Sequence, residues 1–164
     1  MTQAEVESKL RRAIRTLLRE DGWLLKYDAN ERSITHKLAE YLQKEFRGWH
    51  VDCEYNLDGH ADSKKLDLPP KCDISSADTE AHTVFPDIVV HRRGKHAKRL
   101  NLLVLEAKKS TNRVGNRWDF RKLRAFKSKC QLGYKYAAFV RFDTGRRWKQ
   151  PPETVVNGDK IEWS

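Results

Sequence analysis

Two apolar runs stand close together in the middle of the chain: FPDIVVHR, starting at Phe85, and LNLLVLEAKK, starting at Leu100. They constrain the fold more than any other feature. Both have the composition of strands, and the short connection RGKHAK predicts that they pair antiparallel. Side chains alternate along a strand, so Leu103, Leu105 and Ala107 share one face while Leu102, Val104, Glu106 and Lys108 share the other. Both faces are apolar until the C-terminal end, as in a central strand covered on both sides. Yet Asp87 interrupts the first run near its start, and Glu106 and Lys108 close the second. In an antiparallel pair these three residues meet at one rim of the sheet. A buried, unpaired carboxylate is strongly destabilising, so something must compensate for it.

The remaining pattern surrounds this pair with helices and further strands. Val6, Leu10, Ala13, Ile14, Leu17 and Leu18 recur at helical spacing and predict a helix over 3–20, ended by Asp21-Gly22. Ile34, Leu38, Tyr41, Leu42 and Phe46 predict a second helix from about Asn30 to Phe46, with Gly48 as a stop. WHVDCEY alternates as a strand, and residues 56–82 form the longest stretch without a pattern. A basic helix is expected over 116–130 with Trp118, Leu123 and Phe126 inward, followed by a buried strand, YKYAAFVRF. TVV and KIEW suggest a last hairpin around Asn157-Gly158. The expectation is a single α/β domain over 1–164, with a mixed sheet flanked by helices.

Charge narrows the function. The chain carries 33 Lys and Arg against 23 Asp and Glu, a formal net charge of +10, which favours polyanionic partners. No run reaches the roughly 18 apolar residues of a membrane span, and the N-terminal stretch lacks a signal-peptide cleavage pattern. Three widely spaced cysteines, Cys53, Cys72 and Cys130, suit free thiols in the cytoplasm. Cys53, His60, Cys72 and His82 lack the spacing of zinc ligands.

Two carboxylates completed by water suit Mg²⁺, which prefers octahedral oxygen coordination. A lysine beside them, Lys108, could orient or activate a water against a phosphodiester. Glu31 lies on the apolar stripe of its helix, so it either faces this rim or completes a D-x-x-E capping box with Asp28. The plainer alternative is that Asp87 and Glu106 are strand-end acids paired with some of the many basic residues.

Pro86-Asp87, followed after residues 88–105 by Glu106-Ala107-Lys108, resembles the PD-(D/E)xK nuclease superfamily with its restriction-endonuclease-like fold. The α-β-β-β-α-β order over about 28–142 is similar to that core, leaving the N-terminal helix and the short C-terminal β tail outside it. The resemblance implies Mg²⁺- or Mn²⁺-dependent hydrolysis of DNA. Asp87 and Glu106 would be metal ligands, the Ala107 carbonyl a further ligand, Lys108 the residue that positions or activates water, and Glu31 an assisting acid. Gln131 and Tyr134 stand near a position where some exonuclease branches carry Gln and Tyr, although Tyr among apolar neighbours usually belongs to the core.

Arg92, Arg93, Lys109, Arg113, Arg117, Arg121 and Lys122 form the expected DNA-binding set, suited to sequence-independent phosphate contacts. With no helix-turn-helix or zinc finger, the expectation is an endonuclease without its own recognition domain, aimed by a homodimer mate or a recruiting protein and serving defence or repair. Three alternatives remain open: a catalytically silent nucleic-acid-binding module on the same fold, an RNA endonuclease, and a basic structural protein.

Overall fold

A computed structural model of the chain describes residues 1–55, 57–58, 62–63, 65–66, 82–83, 85–94, 100–128, 132–149 and 161–164. For the four residue pairs among these, the backbone alone is described. Three helices come first. α1 spans Gln3–Glu20, α2 Gly22–Lys26 and α3 Glu31–Glu45. Thr2 starts α1 in a reciprocal capping box with Glu5. Asn30 caps α3 by accepting from the Arg32 N–H at 2.9 Å. Gly48, at φ 78°, supplies the left-handed backbone that turns the chain into the sheet.

The strands follow. β1 is His50–Cys53, and β2 (Leu57–Asp58), β3 (Asp62–Ser63), β4 (Lys65–Leu66) and β5 (His82–Thr83) form two small two-stranded ladders. β6 (Ile88–His91) and β7 (Asn101–Lys109) are the two apolar runs. α4 (Arg117–Lys127) leads to β8 (Tyr136–Phe142), and β9 (Ile161–Trp163) is the last strand.

The main sheet has the order β1-β6-β7-β8-β9. β6 pairs antiparallel with β1 and β7, β7 and β8 run parallel, and β9 lies antiparallel on β8. The parallel step follows from the helical crossover, since α4 carries the chain back to the starting edge. Helices cover both faces, as the apolar pattern predicted. Ile88, Val90, Leu103, Leu105 and Ala107 pack into a core with α1 and α3, whereas Val89 and Val104 pack with Leu123 and Phe126 of α4. β7 is therefore central in two senses, third of five strands and buried from Leu102 to Lys108.

Two elements differ from expectation. Asp21 ends α1 as predicted, but a five-residue helix follows at once, and a 3-10 turn, Gly145–Arg147, packs against it. The IEW of KIEW does yield a strand, but it extends the main sheet; Lys160 and the expected partner TVV lie outside the described residues. Most of the 56–82 stretch also lies outside them. No described helix is long and apolar enough to cross a membrane.

Candidate active site

The site arises because β6 stops before β7 does. Their ladder runs from His91 opposite Asn101 to Ile88 opposite Leu105. β7 then continues through Glu106–Lys109 with β8 on one side and no described strand on the other. The backbone N–H groups facing the vacated side need acceptors. Asp87 Oδ2 accepts from the Ala107 N–H at 2.7 Å, and Glu31 Oε2 accepts from the Lys109 N–H at 2.9 Å. Two carboxylates from different elements thus stand in for the missing strand. Glu31 is not in a capping box with Asp28, because Asn30 fills the cap and frees the Glu31 side chain to reach the sheet.

Asp28 and Ala29 hold this corner together. Lys109 Nζ donates to their carbonyls at 3.2 and 2.9 Å and pairs with Asp28 Oδ1 at 3.0 Å. Hydrogen bonds from Thr144 and Lys109 hold the Asp28 carboxyl below its ordinary pKa.

Glu106 and Lys108 project toward α4, where each meets an opposite charge. Lys122 Nζ donates to Glu106 Oε2. Lys108 Nζ donates to Asp119 Oδ2 at 2.5 Å, and Asp119 Oδ1 lies 3.7 Å from Lys122 Nζ. Glu106 is only 2% exposed, and its Oε1 is buried without a hydrogen-bond partner among the described residues. Burial first, and then the nearby Asp87 charge, push the Glu106 pKa well above its ordinary value. Burial likewise raises Asp87, against the pull of the Ala107 N–H and Lys122, while Glu31 and Asp119 add repulsion. Burial opposes charge on Lys122 too, but the Glu106 carboxylate and its hydrogen bond hold that pKa above the ordinary lysine value. The corner therefore gathers five carboxyl groups, Asp28, Glu31, Asp87, Glu106 and Asp119, around three ammonium groups, Lys108, Lys109 and Lys122.

Asp87, Glu106, Ala107, Lys108 and Glu31 converge here, and Asp119 joins them. Asp119 was missed, although its signal was present: like Glu31, it is a charge on a stripe otherwise turned inward, shared with Lys122, Leu123 and Phe126. The basic set divides. Arg113, Arg117 and Arg121 are exposed on the loop after β7 and the outer side of α4, at the acidic end of the sheet. Lys122 turns inward to Glu106, and Lys109 spends its charge on Asp28. Arg92 and Arg93 follow His91, which pairs with Asn101 at the far end of β7 from Glu106. An antiparallel connection has to leave at the end opposite Asp87, so these two members of the expected DNA-binding set lie away from the acids. Arg93 pairs with Asp52, and the Arg92 guanidinium lies 5.0 Å from the Trp49 ring centre. Tyr134 is 1% exposed and edge-on to Phe126 in the core, and Gln131 lies outside the described residues.

No family model matches the chain, and neither a curated protein nor a solved structure reaches significant similarity to it. Among the described residues, no group of three or more His, Cys, Asp or Glu side chains is gathered closely enough to hold an ion. What the site offers a cation is the pair Asp87 and Glu106, both raised in pKa by burial and by a neighbouring acid, together with the orphaned Glu106 oxygen. That donor set fits a hard ion that keeps much of its water.

Proposed function

We propose that the protein is a metal-dependent nuclease that hydrolyses DNA phosphodiester bonds from a restriction-endonuclease-like core. The observation that carries this is Glu106: a nearly fully buried carboxylate beside a second raised acid, with one oxygen lacking a partner. Asp87, Glu106 and the Ala107 carbonyl would hold Mg²⁺ or Mn²⁺. The ion, when bound, supplies Lewis-acid polarisation of the phosphate and lowers the pKa of a bound water. Lys108 would orient an attacking water and steady charge on the phosphate, with Asp119 fixing its ammonium at 2.5 Å. Lys122 neutralises the Glu106 carboxylate in the ion-free protein. Glu31 sets the backbone of β7 beside the ligands through Lys109. Arg113, Arg117 and Arg121 bind flanking phosphates.

One observation favours a second reading, a nucleic-acid-binding module that does not cut. The pairs Glu106–Lys122 and Lys108–Asp119 form without an ion, as a purely structural tie between β7 and α4 would. Nicking of supercoiled plasmid separates the two. The nuclease predicts cutting that needs Mg²⁺ or Mn²⁺ and falls roughly a hundredfold or more in Glu106→Gln and Lys108→Ala. A wild type that binds the plasmid but leaves it intact under every divalent ion would favour the binding module.

A further inference from the structure

Trp23 of α2 and Tyr27, its C-cap residue, carry aromatic rings that the core does not use. Trp23 is 65% exposed and Tyr27 59%, while Leu25 between them is buried. The two rings lie 4.8 Å apart, tilted by 39°, and Lys26 Nζ sits 5.5 Å from the Tyr27 ring centre. The Gly145–Arg147 turn packs against α2 and adds the exposed side chains of Arg146 and Arg147. Two exposed rings and three cations, Lys26, Arg146 and Arg147, therefore belong to two elements that pack together. Its position is equally specific. Tyr27 directly precedes Asp28 and Ala29, whose oxygens hold Lys109, and four residues later Glu31 caps the open edge of β7. Tyr27 thus adjoins the acidic corner along the chain.

We infer that this surface is a stacking platform for unpaired bases of a nucleic-acid strand entering the Asp87–Glu106 site. Every base offers a π-face to Trp23 and Tyr27, and every nucleotide brings a phosphate for Lys26, Arg146 and Arg147. A protein partner of comparable affinity would call for a broader apolar centre than two rings. Duplex DNA keeps its base faces stacked inside and cannot use the rings in this way. The inference rests on the nuclease proposal for its view of the substrate, and it narrows that substrate to a single strand or to a duplex with locally unpaired bases, such as the melted stretches of a negatively supercoiled plasmid.

The test is fluorescence anisotropy in EDTA, where no cutting occurs, with a labelled thymidine dodecamer, a blunt duplex of equal length and anionic lipid vesicles. Trp23→Ala/Tyr27→Ala should weaken dodecamer binding about tenfold or more and leave duplex binding within about twofold. Trp23→Phe should keep most of the affinity. Arg146→Ala/Arg147→Ala should weaken both oligonucleotides and flatten their salt dependence. The inference is overturned if the double aromatic variant binds the dodecamer as well as wild type does, or if wild type binds vesicles and not the dodecamer. Ring-dependent binding by a protein that never cleaves with Mg²⁺ or Mn²⁺ would keep the platform and reject the nuclease.

Discussion

At the Asp87 side chain, stability and the proposed function pull in opposite directions. Its pKa is raised in the fold, chiefly by burial, from an ordinary 3.8. A carboxyl raised on folding contributes stability that is fully present below its unfolded pKa and is lost as pH rises through the folded value. At neutral pH its charge is therefore a burden to the ion-free protein. Asp87→Asn keeps an oxygen for the Ala107 N–H and removes that charge. We expect Asp87→Asn to melt higher than wild type at about pH 7.5 in EDTA, by roughly 2–4 °C for each kcal/mol regained. The gap should close as pH falls below the unfolded value. Thermal melts across pH check this, and a variant that melts lower at neutral pH would show that the acid is stabilising after all. Part of this site was legible from residue order, because Asp87 and Glu106 stand at mirrored ends of consecutive apolar runs. The partnership of Glu106 with Lys122 was not, since Lys122 reads as one more base in a strongly basic helix until burial shows which side it faces.

At the scale of elements, the decisive fact is a difference in strand length. β6 spans four residues and β7 nine, and the overhang makes both the open edge and the acids that cap it. Glu31 and Asp87 therefore have a structural duty whatever chemistry they perform. Glu31→Ala removes the acceptor of the Lys109 N–H and should cost about 1–2 kcal/mol. Hydrogen exchange at that amide should speed up in step. Glu31→Gln keeps the acceptor, so it should hold the stability while losing activity if the charge serves the ion. Equal activity of Glu31→Gln and wild type would confine Glu31 to the backbone role. Long periodic elements such as α1 and α3 were legible within a residue or so because their stripes extend over several turns. α2 was not, because five residues give too short a window for a 3.6-residue period. The place of β9 was also hidden, since pairing between distant segments leaves no local pattern.

Across the whole molecule, the net charge of +10 favours polyanions generally, but its arrangement matters more than its sum. Lys109 and Lys122 are spent internally, and Arg92 and Arg93 lie at the other end of the sheet. Arg113, Arg117 and Arg121 remain beside the acids. Replacing these three with Glu should weaken duplex binding and lower the slope of log affinity against log salt by about two to three, with melting temperature little changed. An unchanged slope would move the DNA contact elsewhere. The central claim is narrower, that the two strands end in acids in order to hold an ion. Calorimetric titration of Mn²⁺ into wild type and Glu106→Gln at mildly acidic pH tests it most directly. The account predicts saturable binding to wild type with release of protons from the raised carboxyls, and no binding to the variant. Equal binding by both proteins, or none by wild type, would contradict it.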